Sequence, residues 1–311
     1  MQSAGELSCH DFHDVTFLPC VRDGSGRYGF SFGAHSADGL PYEAFRHDWC
    51  AFRSPPPTPT NFPGPAIYGG VLMNHFGHFV LEAMSRLWFI RERPDLPVLW
   101  HWIDLPVPHS VWKSWIENLW RVLGLAAGRH HLIRAPVRCS HVLLPDSGIL
   151  AADCLHPRQV AALACVRTPD AGRDSHVWLS RSALPRQFGR IEGESDLEAI
   201  LNARGWTIVQ PELLSPETSA GLFATADTVG GFAGSAFHAA LLAQSPRATL
   251  VIVQRPSVDR SHYDATSRAR GLALRYLAAD MDQLGPLNAW TTFRLNDPQA
   301  LAERICAASR G

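Results

Sequence analysis

The segment Asn74 to Trp88, NHFGHFVLEAMSRLW, carries two histidines, a carboxylate and an arginine at spacings that can move protons. A helix turns by about 100° per residue. On that geometry His75, His78, Glu82, Ser85 and Arg86 form one polar stripe, and Phe76, Phe79, Val80, Leu81, Met84, Leu87 and Trp88 fill the remaining circumference. A helix apolar on most sides is buried, so its polar stripe faces either a cleft or a satisfied internal network. His78 and Glu82, at i and i+4, suit a general base and its hydrogen-bonded neighbour, with either in the role of base. The plain alternative is that His78, Glu82 and Arg86 only bond one another. His75, His78 and Glu82 are also metal-ligand types, but a hydrolytic zinc site needs a third ligand and normally an HExxH arrangement, which is absent.

A second group is Val177-Trp178-Leu179-Ser180-Arg181, followed by Arg186 and Arg190. A strand ending in Ser-Arg sets a guanidinium at the carboxyl edge of a sheet, where open α/β folds bind ligands. The planar donors of arginine match phosphate oxygens, so the cluster suits a diphosphate clamp, although alone it reads equally well as a solvated loop. The third group is Val229-Gly230-Gly231-Phe232-Ala233-Gly234-Ser235-Ala236-Phe237-His238. Here a short strand runs through small residues into a helix start, where the amides of Ser235 and Ala236 approach an anion and His238 reaches a phosphate or ribose. A packed helix histidine is the equal alternative.

These groups need elements to hold them. Val98 to Ile103 reads as a strand, and Trp112, Trp115, Ile116, Leu119, Trp120 and Leu123 recur as one helical face that Gly124 stops. His130 to Ala135 and His141 to Leu144 follow as strands. Further along, strands at His176 to Ser180, Trp206 to Gln210, Thr228 to Gly230 and Thr249 to Gln254 alternate with helices. Ser195 to Glu198 reads as a capping box, Ser215-Pro216 opens another helix, Gly234 to Gln244 is helical, and Asp297-Pro298 caps a last one. Such alternation argues for parallel sheets covered on both faces, arranged as two Rossmann-like α/β domains facing a cleft. The proline-rich run Ser54 to Pro65 reads as an extended connector after short strands and turns. Val166 to Ser175 is polar and turn-rich, which sets the expected domains at 1–165 and 166–311.

The chain has 311 residues, 46% hydrophobic and 18% charged, with 28 basic against 29 acidic side chains. That balance excludes a mainly disordered chain and lacks the electrostatic footprint of a nucleic-acid binder. No run nears the ~18 apolar residues of a membrane span, and the first residues lack the pattern of a signal peptide, so a cytoplasmic protein is expected. Seven scattered cysteines without a CxxC pair read as reduced thiols.

Taken together, GHFVLEAMSRLW, VWLSRSALPRQFGRI, the helix of Asp196 to Arg204, GWTIVQPELLSPETSAGLFATADTVGGFAGSAFHAALLA and the strand Leu250 to Gln254 resemble glycosyltransferase family 61. The likeness spans roughly residues 66 to 280 and includes bacterial capsule and exopolysaccharide enzymes. One departure stands out: where the family commonly has a His-Gly-Ala-Gly-like loop, this chain has Phe232-Ala233-Gly234-Ser235, which leaves His238 as the histidine to substitute.

The resemblance implies a GT-B fold and an inverting transfer without an obligatory metal or cofactor. The donor is a nucleoside-diphosphate sugar, UDP-linked, held mainly by the C-terminal domain through Arg181, Arg186, Gly234, Ser235, Ala236 and His238. The acceptor is a saccharide or glycolipid, activated by His78 or Glu82, with His75, Arg86 and Glu212 in support. Nucleic acid and a membrane span are not expected, though a peripheral place at the inner membrane is. An Asp-x-Asp metal site has one candidate, Asp280-Met281-Asp282, which reads as a surface turn. Two other classes stay open: a metal-dependent hydrolase using His75, His78 and Glu82, and a non-catalytic transferase-like binding module.

Overall fold

Alternating and β-branched residues build two long strands early in the chain, β1 (Cys9–Arg22) and β4 (Thr60–Met73), with β2 (Phe30–His35) and β3 (Cys50–Phe52) between them. The computed structural model describes residues 5–26, 29–48, 50–54, 58–103, 109–125, 127–149, 154–168, 175–185, 188–256, 258–286 and 291–310, with backbone alone at 109–115 and 127. The chain forms two compact units, Met1–Leu150 and Ala151–Gly311.

In the first unit β4 leads into α1 (Phe76–Leu81) and α2 (Leu87–Glu92), then β5 (Val98–Ile103), α3 (His109–Val122), β6 (His130–Leu132) and β7 (Val137–Pro145). The seven strands make one sheet in the order β3-β2-β1-β7-β4-β5-β6. Strands β7, β4, β5 and β6 run parallel, and β1 is antiparallel to both of its neighbours. The first unit is therefore mixed α/β, where an all-parallel sheet was expected. The expected connector at 54–65 also changes: from Thr60 the chain is strand, pairing with β7 from Thr60↔Val137 to Pro65↔His141 across a bulge. Over that stretch β4 bonds β7 alone and pairs with β5 only from Ile67, so Pro63 and Pro65 withhold no amide from a second neighbour. The core on one face includes Phe17, Phe45, Tyr68, Leu99 and Val142. On the other, Trp100 lies against Gly69, and Trp120 of α3 packs edge-on against Trp100 and Phe79 of α1. Trp112 and Trp115 of the expected helical face lie outside the described side chains.

The second unit begins with α4 (Pro157–Leu163), then β8 (His176–Leu179), β9 (Ile191–Glu192), α5 (Glu194–Ala203), β10 (Trp206–Val209), α6 (Pro216–Thr225) and β11 (Thr228–Phe232). It continues with β12 (Thr249–Val253), α7 (Ser261–Arg270), β13 (Leu274–Leu277), β14 (Met281–Leu284), β15 (Thr292–Leu295) and α8 (Pro298–Ser309). Five strands form an all-parallel sheet, β10-β8-β11-β12-β13. Adjacent residues of a strand point to opposite faces. Accordingly a methyl at Gly230 would meet the rings of Trp178 and Trp206, whereas one at Gly231 would meet Phe237. The first face is covered by α5 and α8 through Leu197, Leu201, Leu301 and Ile305. The second is covered by α6, residues 235–241 and α7, with Phe223 and Tyr263 edge-on to Phe237. A small sheet, β14-β15-β9, completes the unit.

Three local expectations are corrected here. Gly193, at φ 86°, heads α5, so the helix begins at Glu194 and Ser195 is not its cap. Residues 235–241 form a 3-10 helix rather than an α-helix over 234–244. Asp282 lies in strand β14, not a turn, and accepts from Asn296 Nδ2 at 3.3 Å. The caps Ser215 and Asp297 accept from the amides of Thr218 and Ala300 as expected. The cysteines are free; Cys50 and Cys139 are buried and Cys154 is exposed.

Candidate functional site

Unit one places its chemistry where β4 ends. The expected continuous helix over 74–88 is broken: α1 stops at Glu82, a 3-10 turn covers Ala83–Arg86, and α2 restarts at Leu87. No proline or glycine causes the break. Tertiary partners do, because the Gly148 amide donates to Ser85 O at 2.7 Å, Arg86 Nε to Pro145 O at 2.8 Å, and Trp88 Nε1 to Asp146 O at 3.0 Å. The single stripe is therefore divided. His78 Nδ1 and Glu82 Oε1 are 2.5 Å apart, both half-exposed, and the His75 ring lies 4.7 Å from that of His78. Ser85 is buried, and Arg86 turns toward the end of β7 beside Gly70, whose φ of 115° and lack of a side chain make room for the guanidinium. Burial lowers the Arg86 pKa.

Sequence reasoning missed His47. Burial lowers its pKa, and the charges of Glu82, Arg86 and His78 act on it, so a third imidazole stands by the pair. Its signal was faint, since it lies in a polar stretch before β3, a strand four places from β4 in the sheet. Among the described residues no group of three or more His, Cys, Asp or Glu is arranged to hold a metal ion.

In unit two the parallel order brings β8 and β11 side by side as the first and third strands, with β10 and β12 outside them. The connections from β8 and β11 leave in opposite directions at that junction, the position at whose carboxyl ends open α/β sheets bind ligands. Arg181 follows β8 there. Its Nη2 donates to Phe188 O at 2.6 Å and Gly189 O at 3.4 Å, while its Nε is buried with no partner among the described residues. A methyl at Gly234 would sit 2.8 Å from Arg181 Nη1, although the φ of Gly234, −171°, suits any residue. An alanine at 234 would have to displace the end of the Arg181 side chain. Gly234, Ser235 and Ala236 are half-exposed among buried neighbours, which makes them the accessible rim of the loop.

Other expected residues are distributed around this rim. Glu212, in the 3-10 turn Pro211–Leu213, is half-buried; burial raises its pKa and the charge of Arg181 opposes the rise. His238 is buried, stacked on Tyr263 at 5.4 Å, with Nδ1 3.4 Å from Thr266 Oγ1. Phe232, which stands where the resemblance places a histidine, is buried against Trp178. Arg186 lies outside the described residues.

Two residues went unnoticed in the sequence. Arg255, just after β12, is 3% exposed, and its Nη1 donates to Ala233 O at 3.3 Å. Burial first and the Arg181 charge second push its pKa down to about 10. Its signal was present, since Val253-Gln254-Arg255 repeats the strand-end pattern of Leu179-Ser180-Arg181. Glu194 is fully buried; its Oε1 accepts from the Arg181 amide at 3.0 Å and Trp178 Nε1 at 3.3 Å, and Oε2 has no partner among the described residues. Burial pushes the Glu194 carboxyl up to about 8.

The second unit is a parallel α/β sheet with arginines after two of its strands, in a chain that also carries a histidine–carboxylate pair. Residues 76–252 match the family model for Glycosyltransferase 61. That span is more than half of the chain, which belongs to this family and is a glycosyltransferase; the hydrolase and non-catalytic readings give way to it. No curated protein matches the chain. No helix among the described residues is long and apolar enough to cross a membrane.

Proposed function

We propose that this glycosyltransferase is a GT-B enzyme that moves a sugar, with inversion and without an obligatory metal, from a nucleoside-diphosphate donor to a saccharide or glycolipid acceptor. UDP is the nucleotide we assign, and surface or exopolysaccharide synthesis the setting. The observation that carries the reading is Arg181, anchored at the end of β8 with its Nη1 against Gly234 of the β11 loop. A guanidinium at that rim is a ready partner for phosphate oxygens.

The chemistry follows from what one in-line displacement requires. The acceptor oxygen bonds to the anomeric carbon as the bond from that carbon to the phosphate oxygen breaks. The bonding pair leaves with the nucleoside diphosphate, and the acceptor proton passes to a base. With Glu82 ionised, the short contact to His78 holds the proton on Nδ1, so Nε2 is the accepting nitrogen of the ring. This favours His78 as base and Glu82 as its orienting partner. Charge developing on the leaving diphosphate is met by Arg181 and the Ser235 and Ala236 amides, an electrostatic role of the oxyanion-hole kind.

The decisive experiment is a thermal-shift panel of nucleotide sugars on the full chain, with and without chelator. A UDP-sugar should raise the melting point with chelator present, and Arg181→Ala should remove the rise. No shift with any nucleotide sugar, or shifts that need Mg²⁺ or Mn²⁺, would overturn the corresponding part of the reading.

A further inference from the structure

The turn that carries Arg181 is held from one side by α5. Ser180 still donates its amide to Val209 O at 2.8 Å, in the pattern of the sheet, whereas the Arg181 amide beyond it donates to a side chain. Glu194 Oε1 accepts that amide at 3.0 Å, together with Trp178 Nε1 at 3.3 Å. One helical turn on, Glu198 Oε2 accepts from Ser182 Oγ at 2.9 Å, and the Ser182 amide donates to Ser180 Oγ at 3.1 Å. Two carboxyls at i and i+4 on one helix therefore fix Ser180–Arg181–Ser182.

Each carboxyl has one oxygen left over. Glu194 Oε2 and Glu198 Oε1 are buried, and neither has a partner among the described residues. Two ionised carboxylates so placed repel each other and leave both oxygens unsatisfied. A single proton donated from Glu194 Oε2 to Glu198 Oε1 removes both costs, while Glu194 Oε1 keeps its two donors. Glu194 is the member that holds the proton, since it is fully buried and Glu198 is half-buried. Burial pushes its pKa up to about 8; the Arg181 amide opposes the rise and the Glu198 charge adds to it. The charged groups acting on Glu194 are Glu198 on its own helix and Arg181 after β8, and Arg255 after β12 feels its charge in turn.

We propose that Glu194 is a positioning residue for Arg181 that works with one proton held between it and Glu198, and that loss of this proton weakens donor binding. This rests on the donor-site reading above. With the proton in place the pair carries one negative charge, and the positive charge of Arg181 is left to phosphate oxygens. Without it the pair carries two, which offset the guanidinium and repel a diphosphate at the same rim. Glu194 acts only through Arg181, whose main chain it grips, and the α5 pair makes that grip sensitive to pH.

Calorimetry with UDP on the full chain, as wild type and as Glu194→Gln, tests it. Glutamine keeps an oxygen for the Arg181 and Trp178 donors and an N–H for Glu198, but has no proton to lose. Wild type should lose about tenfold in UDP affinity between about pH 7 and about pH 9, as the competent fraction falls across a pKa of about 8. Glu194→Gln should match wild type within about twofold at pH 7 and lose no more than about twofold by pH 9. The variant also carries any change in UDP itself. Parallel profiles, or a loss in folded Glu194→Gln that is the same at every pH, overturn the assignment. If Glu194→Gln does not fold, wild type decides by calorimetry at pH 8 in buffers of different ionisation enthalpy. Uptake of about half a proton on binding UDP supports the proposal, and no uptake rejects it. A wild-type chain that binds no UDP at any pH sinks the donor-site reading itself. UDP binding that Arg181→Ala abolishes, with the same pH dependence in wild type and Glu194→Gln, sinks the Glu194 assignment alone.

Discussion

At the scale of single residues the acid–base pair is the sharpest feature. His78 and Glu82 are 2.5 Å apart, and a neutral imidazole bound to a carboxylate through Nδ1 keeps one tautomer. His78→Ala should lower kcat by about 10²–10⁴-fold with donor affinity unchanged, the range ordinary for a positioned base. Glu82→Gln should cost less and shift the pH–rate profile, because the ring keeps a partner but loses the carboxylate. Steady-state kinetics beside UDP calorimetry would show this; full turnover in His78→Ala excludes it as base. Arg181 was legible because a strand running into Ser-Arg is a local signal. Arg255 carried the same signal but stood alone, without the cluster of arginines that drew the eye to Arg181. Glu194 was concealed for a different reason. Ser195 and Glu198 form a convincing capping pattern, and a glycine at φ 86° one residue before Glu194 overrode it.

At the scale of elements, strands read off hydrophobic runs survive well: β5 coincides with the expected span, and β10 and β12 each differ by one residue. The helix over 74–88 did not survive, because its break comes from bonds to residues 145–148, distant in sequence. Periodicity reports which residues are apolar, not which carbonyl a remote amide will take. Close packing between elements gives a direct test. A methyl at Gly69 would lie 2.6 Å from three atoms of the Trp100 ring, whose backbone is fixed in the adjacent strand β5. Gly69→Ala should therefore destabilise by about 1–3 kcal/mol in a denaturant melt. Gly128→Ala, with open space around it, should change little. Equal stability of the two variants would refute the packing argument.

Across the whole molecule the two units carry opposite pH sensitivities. In the first, His101 is fully buried between Tyr68 Oη and Leu18 O, both at 2.8 Å, and burial pushes its pKa down to about 3. The unfolded chain takes up that proton near 6.5 and the folded chain does not, so stability falls as pH drops from about 6.5 toward 3. In the second, Glu194 holds its proton to about 8 when folded, whereas an ordinary carboxyl releases it near 4.5. Folding then takes up a proton, and stability is lost as pH rises between those values. Each group contributes a slope of up to about 1.4 kcal/mol per pH unit. Melting curves across pH should show Glu194→Gln flattening the alkaline arm alone, and no change in that arm would reject the buried-carboxyl account. Composition reached this scale only in part, since it excluded disorder and nucleic acid but could not say that one strand of the first sheet runs against the others.

The parallel sheet of the second unit has one further consequence. All five strands point the same way, so the segments that carry the candidate site leave from a single rim, after Leu179, Val209, Phe232 and Val253. The opposite rim is stitched shut by His176 stacked on Trp206 and by the Asp227 and Thr249 amides bonding across strands. Selection, or an engineer, can thus rewrite the loops of the open rim without touching the contacts that stitch the opposite rim or fill the core.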